Sequence, residues 1–156
     1  MLKLQIPGQK NLNLSHLVLD YNGTLAIDGK LISGVKERLI SLARTLKIHV
    51  ITADTFGNVK QELAHIPCTV YVLSSTHQDK EKMNYVKSLG SDHTLAIGNG
   101  CNDCLMLKQS ALGLAVIQAE GAFSQTLLAA DIITPDILSA LDIIRYPLRL
   151  VATLRV

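Results

Sequence analysis

The chain has 156 residues, with 15 Lys plus Arg against 13 Asp plus Glu and a formal net charge of +2. Hydrophobic residues make up 48% and charged residues 18%, a balance that excludes disorder, collagen-like structure and coiled coils. The charge is small and no basic run occurs, so no nucleic-acid partner is expected.

A length of 156 residues fits one domain, 1–156. Chains of this size bury about 68–70% of their unfolded surface and need no disulfide or metal staple. No apolar stretch approaches the roughly 20 residues that span a bilayer, so no membrane association is expected. The opening MLKLQIPGQKN breaks at Pro7-Gly8, too early for a signal-peptide core. Three cysteines (Cys68, Cys101, Cys104) cannot all pair within one chain, which suits a reducing compartment. A cytoplasmic address is the expectation.

In chain order, residues 2–6 and 11–14 alternate apolar and polar around Pro7-Gly8, which predicts an amphipathic hairpin. Leu17, Val18 and Leu19 then form a continuous apolar run of the kind found in strands buried on both faces. Such runs recur at 48–52, 94–98 and 112–117. Asp28-Gly29, between short apolar flanks, predicts a small β-flap directly after the first buried strand. Helical spacing follows at Val35, Leu39, Leu42 and Leu46, at Val59, Leu63 and Ile66, and at Met83, Val86 and Leu89 before Gly90. A further set, Leu105, Leu107 and Leu112, follows the next loop, while the tail after Pro147 is amphipathic and unassigned. Strand and helix alternate throughout, which predicts an α/β fold: a Rossmann-like, doubly wound parallel sheet.

Ligands bind beyond the carboxyl ends of the strands in such sheets. The first buried run ends in Asp20-Tyr21-Asn22-Gly23-Thr24, the second in Thr52-Ala53-Asp54-Thr55, and the run at 94–98 in Gly98-Asn99-Gly100-Cys101-Asn102-Asp103. Small, polar and acidic residues far apart in sequence therefore converge on one edge. Asp20, at a strand end, can act as a carboxylate nucleophile on phosphorus or simply cap the next turn. Gly23 lets backbone N–H groups approach phosphoryl oxygens, and Thr24 braces the loop. Asp103 can help hold a cation or can favour a helix start through the macrodipole.

DYNGT at 20–24, Thr52 in VITAD, a lysine opening a helix, and GNGCND at 98–103 occur in the order of the haloacid dehalogenase superfamily of phosphotransferases, which the sequence resembles. Within that superfamily it is most similar to the phosphorylation domain of P-type ATPases, whose motifs are Asp-Lys-Thr-Gly-Thr, Thr-Gly-Asp and Gly-Asp-Gly-x-Asn-Asp. The segment 111–133 adds to that similarity. The resemblance covers roughly 16–145 and implies an aspartyl-phosphate on Asp20. It implies a hydroxyl donor at Thr52 beside Ala53, phosphate contacts at Gly23, Thr24 and Asn102, and a charge-neutralising lysine. Lys82 fits the helix phase of that lysine, with Lys80 as the competitor. The implied cofactor is Mg²⁺, held by Asp20, the carbonyl of Asn22, Asn99 and Asp103.

Two departures accompany the match. Hydrolytic members place a second Asp two positions after the nucleophile; here Asn22 stands there, and it cannot shuttle a proton. General acid–base help is worth about 10²–10⁴-fold, so a slow enzyme is expected. Asn99 replaces the Asp of the pump motif and removes one negative charge from the metal site. Asp20 and Thr52 lie 32 positions apart, and Thr52 and Lys82 lie 30 apart, gaps too short for a cap domain or a nucleotide-binding insert. Capless members often close the site with a neighbouring subunit, so a homo-oligomer, tetramer or dimer, is expected.

The reading is a Mg²⁺-dependent phosphatase-like hydrolase acting on a small phosphorylated substrate or a phosphoprotein. Its rivals are a soluble ATPase and a non-catalytic regulatory subunit that keeps phosphate and metal affinity. Cys101 and Cys104 form a CxxC, but a zinc site needs further ligands and the pair lies inside the matched loop. His49 reads as a core or strand-edge residue, and His77 as a residue of the site mouth.

Overall fold

Each continuous apolar run becomes a strand whose side chains are shielded on both faces, Leu17, Val18 and Leu19 being wholly buried. The computed structural model describes residues 1–53, 58–74 and 76–156. It opens with an antiparallel hairpin, β1 (Leu2–Leu4) and β2 (Leu12–Leu14), which buries Leu4, Leu12 and Leu14. Next comes β3 (His16–Asp20), then the flap strands β4 (Ala26–Ile27) and β5 (Lys30–Leu31), turned at Asp28-Gly29. The remaining elements alternate: α1 (Val35–Leu42), β6 (Lys47–Thr52), α2 (Val59–Glu62), β7 (Cys68–Val72), α3 (Gln78–Leu89), β8 (Thr94–Gly98), α4 (Cys104–Gln109), β9 (Leu112–Val116), α5 (Ser124–Ala129), β10 (Ile132–Thr134), α6 (Ile137–Arg145) and α7 (Pro147–Leu154).

Six strands form one parallel sheet in the order β10-β9-β8-β3-β6-β7. The chain winds outward from β3 through β6 to β7, then returns to β8 on the other side of β3. The switch point therefore lies between β3 and β8, where open α/β sheets place their ligands. Side chains alternate between two cores. Leu17, Leu19, Val50 and Ile97 face the layer carrying the N-terminal hairpin, α1, α6 and α7. Val18, Ile51 and Ala96 face Val86 of α3 and Met106 and Leu107 of α4. No cap domain stands over the carboxyl edge among the described residues, and none of their helices is long and apolar enough to cross a membrane.

The expected fold class stands, with the flap and N-terminal hairpin in place. One helical assignment changes: Leu112 belongs to β9, because the helix ends at Gln109 and Ser110 turns extended. The unassigned tail is α7, begun by Pro147, whose fixed φ and missing N–H suit a first helical turn. Strand β10 was not apparent in the sequence, since three residues carry too little pattern.

Candidate active site

Two loops at the switch point build the site. Asp20 closes β3 and is 7% exposed. Lys82 lies on the α3 face that also buries Val86, one turn away, so its stem runs through packed side chains and its ammonium emerges beside β3. The Nζ donates to Asp20 Oδ1 at 2.6 Å, Asp103 Oδ1 at 2.7 Å and Asn102 Oδ1 at 3.1 Å. All three ammonium hydrogens thus have acceptors. Lys80 is exposed on the same helix, so the geometry brings Lys82 to Asp20.

Asp103 is wholly buried in the 3-10 turn Cys101–Asp103. Its Oδ2 accepts from the N–H groups of Asn99 (2.9 Å) and Gly100 (2.8 Å), which folds the loop back on itself. Gly98 makes room for that return: a Cβ there would lie 2.4 Å from Asp103 Cγ. Asn102 is fixed from both ends, accepting from Lys82 and donating to Gln78 Oε1 at 3.1 Å.

The Asp20 loop is braced by Thr24, whose hydroxyl lies 3.0 Å from Asp20 Oδ2 and 3.2 Å from Asn99 Oδ1. Asn99 in turn donates its amide to the Gly121 carbonyl at 2.9 Å. At Gly23 the loop turns tightly: its N–H donates to the Ala26 carbonyl at 2.9 Å, and that of Thr24 to the Tyr21 carbonyl at 3.2 Å, so these two amides close the turn. Glycine is required at 23 for two reasons. Its φ is +77°, and a Cβ would stand 2.6 Å from Asn99 Nδ2.

Asp20, Asn22, Lys82, Asn99, Asn102 and Asp103, with Ala53, Gln78 and Gly100, line a cavity of about 160 Å³. At roughly 30 Å³ per water, that admits a phosphoryl group with a few waters. Thr52 ends β6 fully buried, immediately before Ala53; Asp54 and Thr55 lie outside the described residues. Asn22 carries a buried Oδ1 with no hydrogen-bond partner among the described residues. His77 does not line this cavity; it lies in a separate, open hollow with Gln78, Asp79, Cys101 and Asn102.

One ammonium faces two buried carboxylates, so the cluster is short of positive charge. Burial, then the charge of Asp103, pushes the Asp20 carboxyl up to about 6 against the pull of Lys82. Burial works against the Lys82 charge, but Asp103 and Asp20 together outweigh it and hold the ammonium above its ordinary value.

Sequence reasoning missed Gln78, Gln118 and the Gly121 carbonyl. The signal for Gln118 was available: it follows the carboxyl end of β9, on the edge where the other strands deliver their functional residues.

No family model matches the chain. Two uncharacterised proteins of Methanocaldococcus jannaschii match parts of it. One is 52% identical over 61 residues, covering 39% of this chain and 66% of that protein. The other is 51% identical over 39 residues, covering 25% and 89%. Among solved structures, a HAD superfamily (subfamily III A) hydrolase from Legionella pneumophila superposes with a TM-score of 0.72 at 21% identity, over 90% of this chain and 87% of its own. The fold is that of the haloacid dehalogenase superfamily. The HAD-fold 3-deoxy-D-manno-octulosonate 8-phosphate phosphatase of Moraxella catarrhalis, crystallised with magnesium ion, phosphate ion and KDO, gives 0.67 at 17% identity, over 85% and 86%. A zinc-transporting PIB-type ATPase in its E2·Pi state gives 0.63 at 20% identity, over 79% of this chain and 20% of that protein. The HAD-fold chain thus spans a fifth of the pump.

Proposed function

We propose that this HAD-fold chain is a slow, Mg²⁺-dependent phosphohydrolase that takes the phosphoryl group of a small phosphorylated molecule or a phosphoprotein onto Asp20. One observation carries the reading: a buried carboxylate and a buried ammonium, 2.6 Å apart, face a cavity at the switch point of the sheet. Cytoplasmic residence is part of the proposal, consistent with three free thiols at Cys68, Cys101 and Cys104.

The residues present fit a divalent cation. The donors are oxygens, as magnesium prefers, and the cluster lacks one positive charge. Asp20, the Asn22 carbonyl and the Asn99 side-chain oxygen would hold it. Asp103, both of whose oxygens already accept hydrogen bonds, would hold the loop or reach the ion through water. A bound Mg²⁺ supplies charge neutralisation for the phosphoryl oxygens.

An Asp20 carboxylate oxygen attacks phosphorus, forming an O–P bond as the ester P–O bond breaks. The leaving alkoxide takes its proton from water, because Asn22 has none to give. Water then attacks phosphorus and the Asp20 O–P bond breaks, releasing inorganic phosphate and a proton to solvent. Throughout, Lys82 offsets the charge on Asp20 and on the phosphoryl oxygens, and Thr24 fixes the carboxylate's orientation.

Turnover of para-nitrophenyl phosphate, ATP and a phosphometabolite panel with Mg²⁺ tests this in wild type, Asp20→Asn and Asn22→Asp. We expect slow wild-type turnover, none in Asp20→Asn, and a gain on the order of 10²-fold or more in Asn22→Asp. ATP in the panel separates the soluble ATPase reading, which the likeness to the pump supports. Asn22 and Asn99 favour a second reading, a regulatory subunit that binds phosphate without turning it over; phosphate binding with no turnover in any variant would establish it. A second copy closing the open edge is proposed as well, and a monodisperse monomer at micromolar concentration in light scattering rules it out.

A further inference from the structure

Gln118 has no role in the chemistry above, yet its side chain ties the main chain of the Asp20 loop to the start of α6. It sits just beyond β9, half-buried, with its own backbone in the left-handed region at φ +55°. A residue other than glycine holds that conformation only when its surroundings fix it. The surroundings here are specific. Nε2 donates to the Gly23 carbonyl at 3.1 Å and more closely to the Thr24 carbonyl, while Oε1 accepts from the Ile137 N–H at the start of α6 at 3.2 Å. Two carbonyls on one side and an N–H on the other leave a single amide orientation that satisfies all three.

The same loop grips the other half of the site. Gly121 accepts from Asn99 Nδ2 at 2.9 Å, and the Phe123 N–H donates to the Asn99 carbonyl at 2.9 Å. The loop thus brackets both the Asp20 loop and the acidic loop. The path to the reacting atom is short: Gln118 holds the Thr24 main chain, and the Thr24 hydroxyl reaches Asp20 Oδ2 at 3.0 Å.

We propose that Gln118 is a positioning residue for Asp20, acting through Thr24; this deepens and rests on the phosphohydrolase reading. It touches no substrate and sets the angle at which the carboxylate meets phosphorus. Small misplacements of a reacting group cost on the order of 10²-fold.

The test uses Gln118→Met, which keeps length and loses the hydrogen bonds, and Gln118→Glu, which keeps the acceptor for Ile137 but faces two carbonyls with a carboxylate. Both should lower kcat on para-nitrophenyl phosphate about 10–100-fold with KM within twofold, Glu at least as strongly as Met. Because Gln118 acts through Thr24, Thr24→Val and Gln118→Met should combine less than additively in kcat. In the metal-free protein, amide exchange at Gly23, Leu25 and Ala26 should rise at least tenfold in Gln118→Met while β8 amides keep their protection. Unchanged kcat in an active background, or strict additivity with Thr24→Val, overturns the proposal. An inactive wild type overturns the phosphohydrolase reading, and the positioning role with it. Faster loop exchange alone would then assign Gln118 a purely structural function.

Discussion

Replacing Asp20 with Asn should stabilise the metal-free protein, although it removes one partner of a buried ion pair. Asp20 ionises near pH 3.8 when unconstrained and at about 6 in the folded site, because burial and the charge of Asp103 outweigh Lys82. Between those values the folded protein holds a proton that the unfolded chain has lost, so stability falls as pH rises through that window. Above about pH 6 the full penalty applies. At 1.36 kcal/mol per pH unit it amounts to about 3 kcal/mol. Asparagine matches the shape of the protonated carboxyl and leaves one ammonium facing one carboxylate. For a chain of this size the gain corresponds to roughly 6–12 °C in Tm. Thermal unfolding in EDTA from pH 4 to pH 8 reads it out: the variant should melt higher at pH 8, and the difference should vanish near pH 4. Added Mg²⁺ should then stabilise the wild type by mass action and leave Asp20→Asn unmoved. A variant that melts at or below the wild type at pH 8, or by a margin independent of pH, would refute the charge-deficit account.

Lys82→Met leaves Asp20 and Asp103 buried without their shared cation. It should abolish turnover and cost about 3–5 kcal/mol near neutral pH, with partial recovery on acidification as Asp20 protonates; activity assays and denaturant melts at pH 5 and 8 measure both. His49 behaves with the opposite sign. Burial, then the charges of His16 and Lys47, holds its imidazole down to about 4 from 6.5. The unfolded chain therefore takes up the proton first, and up to about 3 kcal/mol of stability is lost as pH falls from 6.5 to 4. His49→Gln, which can keep a hydrogen bond to Tyr85 or His16, should flatten that acid limb in pH-dependent melts.

The fold was legible because parallel strands buried on both faces leave continuous apolar runs, and four of the six central strands carry one. Strand β7 at the edge is only half-buried and β10 is three residues long, so neither leaves such a trace. Asp20, Asn102 and Asp103 were legible because they follow strand ends that share one edge, whereas the choice of Lys82 over Lys80 came from the resemblance. The turn that engages the Gly23 N–H was not legible, because its hydrogen bonds depend on where the flap returns, a tertiary fact with no local signature. Asn99 was legible by its place in GNGCND and Gln118 by its place beyond β9, but their partners were not, since an amide meets its carbonyls only in the folded chain.

The two amides at positions 22 and 99 set the charge of the site. Asp at both positions would set four carboxylates around one ammonium, a net of −3 before a phosphate dianion arrives. With Asn at both positions the net is −1. Each like-charge pair at about 4 Å is worth on the order of 4 kcal/mol at an effective dielectric of 20, so the amides ease anion entry and weaken metal binding. At Asn22 the oxygen that faces the site is buried without a hydrogen-bond partner among the described residues, so a carboxylate there would need the cation to offset its charge. Asn99 cannot be replaced by Asp without loss. Its Nδ2 donates to the Gly121 carbonyl, and a carboxylate there would oppose that carbonyl and release the bracket loop. Asn99→Asp should therefore cost about 1–3 kcal/mol of metal-free stability. In calorimetric titrations Asn22→Asp and Asn99→Asp should both bind Mg²⁺ more tightly than wild type. Unchanged metal-free stability in Asn99→Asp would show that the Asn99 amide bond to Gly121 does not hold the loop.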